Sequence, residues 1–294
     1  MSAVSFTKMQ GIGNDFIVID DREEKLSLTI GQVVHLCDRR FGIGADGVML
    51  IRNATQEGAD FAWWFVNNDG SVPEMCGNGS RCFARYVYEH NMLPAGAHSF
   101  TLETLCGLKP IEIMTNDDGS FAAARVNMGV AQSSAQTMPT TLANNVEGNI
   151  FGVSLTIESG ETLKVNGVNV GNPHLVMFKD DNPDIFTDEV FDRLGPLLET
   201  DEHFPQKTNV EFIELLDSGH IKMRVWERGV GETKACGTGA CASAFAAYKT
   251  GRTGNDVTVS LLGGDLRVEI TPKDELFMTG FAQNVFTGSF DATI

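Results

Sequence analysis

The chain has 294 residues, 42% hydrophobic and 21% charged, which is ordinary globular usage and enough length for two domains with cores of their own. A formal net charge of -17 argues against nucleic acid and anionic membrane surfaces as partners, because both are bound through Lys and Arg. No run of about 18 apolar residues offers a membrane span, and residues 1–10 lack the apolar core of a signal peptide, so a cytoplasmic protein is expected.

In chain order, Phe16 to Ile19 reads as a strand, Ile30 to Arg40 as a helix, and Val48 to Ile51 and Phe61 to Val66 as strands. A helix is predicted from Gly77 to His90, followed by strands at Ile111 to Met114 and Phe121 to Val126. The stretch Ala131 to Asn149, rich in Ser, Thr, Gln and Asn, reads as the connection between domains. Strands follow at Phe151 to Ile157 and Leu175 to Phe178, then a helix over roughly Asp184 to Glu199 that Gly195-Pro196 should interrupt. Val210 to Leu216 and Ile221 to Trp226 are predicted strands, Gly237 to Lys249 a helix, and Val257 to Leu262 and Leu266 to Ile270 strands. The helices at 77 and 237 have little polar face, which suggests a sheet rolled around a central helix once in each half.

The halves also match in detail. Met75-Cys76-Gly77-Asn78-Gly79 recurs as Ala235-Cys236-Gly237-Thr238-Gly239, and Gly13-Asn14-Asp15 resembles Gly171-Asn172-Pro173. Asn67 and Glu227 stand at the same distance before their cysteines. Two similar domains facing each other across a cleft are therefore expected: 1–130 with a C-terminal strand at 281–294, and 131–280.

Each CGxG opens a predicted helix, so Cys76 and Cys236 should sit beside unpaired backbone N–H groups and the positive end of a dipole. That setting lowers a thiol pKa, and the N–H groups of Gly77, Asn78, Gly237 and Thr238 can bind a carboxylate. One sulfur on each face of an α-carbon would suit inversion: one thiolate removes the proton and the opposing thiol returns another. Such chemistry needs no cofactor. The six cysteines, which should be reduced thiols, contain no CxxC pair and none at zinc spacing from a histidine, so no metal is expected. Cys37, Cys82, Cys106 and Cys241 read as plain structural cysteines. Gly42-Ile43-Gly44-Ala45-Asp46-Gly47 is a literal GxGxxG, but it follows a predicted helix and leads into a strand, the reverse of a dinucleotide site.

With MQGIGNDFIVID, FGIGADG, NNDGSVPEMCGNGSRCFARY, GNPH, TNVEF and ERGVGETKACGTGACA in view, the chain resembles the diaminopimelate epimerase family, cofactor-independent two-cysteine racemases, over nearly its whole length. The resemblance implies two pseudo-symmetric α/β domains, each a mostly antiparallel barrel-like sheet around a central helix. It also implies conversion of LL-diaminopimelate to the meso isomer in lysine and peptidoglycan precursor biosynthesis. Cys76 and Cys236 then match the acid/base pair, and Asn14, Asn67, Asn172, Asn209, Glu227 and Arg228 the substrate-binding residues. Arg228 could hold the second carboxylate and Glu227 an ammonium group. Many family members carry glutamine where this chain has Gly47, and His174 is as compatible with packing as with binding. The alternatives are a racemase for another amino acid, of histidine or proline type, and a non-catalytic anion-binding protein. A homodimer is the assembly to test.

Overall fold

The computed structural model describes residues 3–144 and 148–291. Two compact units divide the chain, one of Met1–Asn127 with Thr279–Ile294, the other of Met128–Met278. In the first unit β1 (Ala3–Gly11) and β2 (Asn14–Asp20) pair antiparallel across a turn in which Ile12 and Gly13 take positive φ. After α1 (Ile30–Cys37), β3 (Gly47–Asn53) lies parallel to β2 and antiparallel to β4 (Phe61–Asn67). α2 (Gly77–Glu89) follows, and β5 (Ser99–Thr104) returns parallel to β4 before the antiparallel strands β6 (Gly107–Thr115) and β7 (Phe121–Val130).

The second unit repeats this pairing sequence. β8 (Val153–Thr156) and β9 (Thr162–Asn169) pair antiparallel, as do β9 and β10 (Pro173–Phe178). After α3 (Asp188–Glu199), β11 (Asn209–Asp217) lies parallel to β10 and antiparallel to β12 (His220–Glu227). The short β13 (Gly231–Glu232) precedes α4 (Gly237–Lys249), and β14 (Asp256–Leu261) returns parallel to β12, then antiparallel to β15 (Gly264–Ile270); β16 (Glu275–Gly280) follows. The last strand, β17 (Gln283–Asp291), pairs antiparallel with β1 and so closes the first unit. The result is a sheet-dominated α/β fold with four helices among the described residues.

α4 is buried because its residues are small: Ala240, Ala242, Ala244, Ala246 and Ala247 let it pack against β9 to β12, β14 and β15 at once. α2 reaches burial differently, with Phe83 and Val87 inside and Arg81 wholly buried. Arg81 is accommodated because its guanidinium donates to the carbonyls of Gly77 and Phe281 and to Asn78 Oδ1.

One expectation is corrected, and two are extended. α3 runs on through Gly195 and Pro196 without interruption; a Cβ at Gly195 would lie 2.7 Å from the Trp226 ring, so the glycine is the bare spot on which that indole rests. The polar stretch 131–149 follows the division after Asn127 and is packed into the second unit, where Met138 and Leu142 belong to the core and Gln132 bridges to Asn169 in both directions. Residues 145–147 of that stretch lie outside the described residues. β1, β5, β9 and β16 escaped the strand reading because their apolar residues are diluted by Lys, Ser, Thr and Asn.

Candidate active site

Cys76 and Cys236 occupy identical local positions: each is the N-cap of its helix in extended backbone, and each sulfur accepts the N–H of the residue three on, Gly79 or Gly239, at 3.3 Å. Cys76 is half-buried and Cys236 buried.

Around Cys76, the side chain of Asn14 at the head of β2 accepts from Asn78 Nδ2 at 3.0 Å and donates to Asp46 Oδ2 at 2.7 Å. Asn78 is in turn anchored by Arg81. Asp46, which the sequence reading passed over, also accepts the Asp15 N–H and pairs with Arg39. Asn67 ends β4 opposite Gly47, its amide donating to Ser71 Oγ. Gly47 itself has no room for glutamine, because a Cβ there would lie 2.6 Å from the Phe65 ring and 2.9 Å from the Val66 carbonyl. The N–H groups of Ile43 and Gly44 are spent on the Leu36 carbonyl, so the GxGxxG loop caps α1.

Around Cys236 the equivalent places are polar. His174 and Glu211 stand where the first unit has Phe16 and Met49, as the matched registers of β2 with β3 and β10 with β11 require. His174 Nδ1 meets Glu211 Oε1 at 2.6 Å, and Nε2 meets Asn172 Oδ1 at 2.9 Å, with both side chains of the pair fully buried. Because Asn172 Oδ1 can only accept, Nε2 carries a hydrogen. Asn172 Nδ2 then reaches Thr238 Oγ1 at 3.4 Å, and that hydroxyl lies 3.6 Å from the Cys236 sulfur. Glu227 accepts from the Thr233 hydroxyl.

Burial first, then the carboxylates of Glu227 and Glu211, push the Cys236 thiol well above its ordinary value. The start of the helix pulls the other way, through the Gly239 N–H and Thr238, but is outweighed. Burial likewise raises Glu211 against the pull of His174, and Glu227 against that of Thr233.

Asn209 is buried at the head of β11, donating to the Pro173 carbonyl and accepting the Arg228 N–H at 3.0 Å. Arg228 is exposed and donates to the Gln206 carbonyl at 3.2 Å. Thus the structure joins Asn14, Gly77 and Asn78 around Cys76, and Asn172, Gly237, Thr238 and Glu227 around Cys236, with Asn209 and Arg228 linked beside them. Glu211 is not legible in TNVEF, since a single glutamate among apolar neighbours looks like the outward side of a strand until the register shows Val210, Glu211 and Phe212 all buried.

The fold is shared with known epimerases and racemases. A hydroxyproline epimerase from Agrobacterium vitis superposes with a TM-score of 0.68 at 14% identity, covering 98% of this chain and 92% of that one. A Bacillus anthracis phenazine biosynthesis protein of the PhzF family gives 0.66 at 16%, covering 99% of both. The sequence is more specific. The profile of the diaminopimelate epimerase family matches residues 6–133 and 167–285, and the chain is 43% identical over 288 residues to the diaminopimelate epimerase of Nostoc punctiforme, covering 97% of this chain and 99% of that protein. Its counterpart in Methanococcus maripaludis is 41% identical over 289 residues, covering 98% and 100%. This chain belongs to the diaminopimelate epimerase family.

Proposed function

We propose that the protein interconverts LL- and meso-diaminopimelate by two-base inversion at an α-carbon, serving lysine and peptidoglycan precursor biosynthesis. Full-length identity of 43% to a diaminopimelate epimerase carries this reading, and the matched cysteine N-caps supply chemistry for it. One sulfur removes the α-proton as thiolate and the other, as thiol, protonates the opposite face, so the roles exchange with direction. The high thiol pKa of Cys236 suits the donor in one direction. The N–H groups at each helix start, with Asn14, Asn67, Asn78, Asn172 and Thr238, offer donors to a carboxylate whose charge grows as the α-proton departs. Arg228 would receive the distal carboxylate and Glu227 an ammonium group, which a proline racemase would not need. The thiol pair asks for no cofactor. A cytoplasmic homodimer is part of the same reading.

The test is incubation of LL-diaminopimelate in deuterium oxide with reductant and without pyridoxal phosphate. Meso product carrying one solvent-derived α-deuteron is expected. Product without deuterium, or full turnover by either Cys76→Ser or Cys236→Ser, would sink the two-base mechanism.

A further inference from the structure

The last residue of α3, Glu199, is a carboxylate 8% exposed that no step of the chemistry above uses. Its Oε2 accepts the indole N–H of Trp226 at 2.9 Å, and its Oε1 accepts the backbone N–H of Gly229 at 2.9 Å and the Lys207 ammonium at 3.3 Å. Trp226 and Gly229 are the residues on either side of Glu227-Arg228. One carboxylate therefore ties the end of β12 to the far side of the turn that presents both specificity residues. Asn209 secures the same turn through the Arg228 N–H, and Gly195 gives Trp226 its seat on α3. Burial pushes the Glu199 carboxyl up, but the indole, the Gly229 N–H and Lys207 outweigh it and hold it below the ordinary range, so it stays charged through neutral pH.

The equivalent turn of the first unit is closed otherwise. Asn67 and Gly70 bond within the turn and to Ser71, and the Asn68 N–H goes to the Asp46 backbone carbonyl. A buried carboxylate clamp thus accompanies Arg228, where a substrate-binding guanidinium must be aimed, and is replaced by local bonds where none is present.

We propose that Glu199 is a positioning residue: by clamping Trp226 and Gly229 it holds the Glu227-Arg228 turn in the conformation that receives the distal carboxylate of the substrate. This rests on the reading of Arg228 as the partner of that carboxylate. The predicted signature is a loss of binding with the chemistry intact.

The test is a double-mutant cycle on KM and kcat for LL-diaminopimelate. Glu199→Gln keeps the shape but turns an amide NH2 toward one of the donors, and should raise KM about tenfold, the scale of one charge-assisted hydrogen bond, while kcat changes by less than about threefold. Arg228→Met should raise KM at least as far, and the double variant should be no worse than Arg228→Met alone, because Glu199 acts through Arg228. A normal KM for Glu199→Gln, an equal fall in kcat, or factors that multiply in the double variant would overturn the inference while leaving Arg228's role standing. A normal KM for Arg228→Met would overturn that role and the inference together. Should Glu199→Gln not fold, Trp226→Phe removes the indole N–H from the clamp together with part of the ring that rests on Gly195, and must raise KM; an unchanged KM overturns the inference.

Discussion

Cys76 and Cys236 share backbone geometry and differ in what surrounds the sulfur. Cys76 faces Met49 across Gly79, whereas Cys236 faces the Glu211 carboxylate across Gly239, with Glu227 adding a second carboxyl. Since Glu227 raises the Cys236 pKa, Glu227→Gln should lower it and speed alkylation of Cys236 by iodoacetamide at pH 8 by up to about tenfold, one pKa unit, with the Cys76 rate unchanged. Peptide mass spectrometry separates the two sites, and slower Cys236 labelling would contradict the electrostatic account. Serine at either position should cost turnover at least about a hundredfold, the lower range for a positioned acid or base, as followed by chiral separation of LL and meso isomers. The two cysteines, their glycines and the flanking asparagines were legible in the sequence because their roles are local: an N-cap and the turn that follows it are written in adjacent residues. Glu211, Asp46 and Glu199 were not legible, because each gains its meaning from a partner far along the chain: His174 lies 37 residues from Glu211, Asn14 32 from Asp46, and Trp226 27 from Glu199.

At the scale of elements, α2 and α4 tolerate change differently. An alanine methyl at Gly79 would meet Met49 Cε, the end of an adaptable thioether side chain, at 2.9 Å, while one at Gly239 would meet Glu211 Oε1 at 2.8 Å, an atom tied to His174. Alanine normally gains up to about 1 kcal/mol over glycine in a helix. Gly79→Ala should therefore stay near the wild-type melting temperature, and Gly239→Ala should be destabilised by roughly 1–3 kcal/mol of overpacking, read by urea unfolding. Buried thiols give these elements an alkaline limit. Burial pushes Cys82 of α2, and Cys37 at the end of α1, up to about 12. The fold prefers the protonated thiol, whereas the unfolded chain releases its protons near about pH 8.5, so this stability is fully present below that pH and is lost as pH rises toward 12. Unfolding midpoints should fall between pH 8 and pH 10.5, and Cys82→Ala, though weaker at pH 8, should fall less steeply. A slope unchanged by that substitution would exclude Cys82 as a source. The central helices were readable from their nearly unbroken apolar and small-residue content; the continuity of α3 was not, because only the Trp226 ring lying on Gly195 explains a glycine there.

For the whole molecule, the order of strands ties the last segment of the chain to its first. β17 pairs along β1 from Ala3–Asp291 to Gln10–Gln283, and Arg81 and Arg85 of α2 donate to the carbonyls of Phe281 and Ala282. Removing residues 281–294 should expose the β1 edge and take one carbonyl acceptor from each arginine. Amide exchange of β1 should then accelerate by at least about a hundredfold while β10 to β12 of the second unit keep their protection, because loss of local structure need not spread between separate cooperative units. Uniform acceleration in both units would show instead that they unfold together.

By itself the sequence determined the doubling of the chain, the two cysteine N-caps, the mixed α/β class and the resemblance to one family, because these depend on residue order within short windows and on repetition between them. Only the tertiary structure decided that the two cysteine environments differ. The register of β11 against β10 sets Glu211 beneath α4 where β3 sets Met49 beneath α2, so that burial, Glu227 and then Glu211 together push the Cys236 thiol up. Long-range pairing, which no local pattern encodes, chose those neighbours.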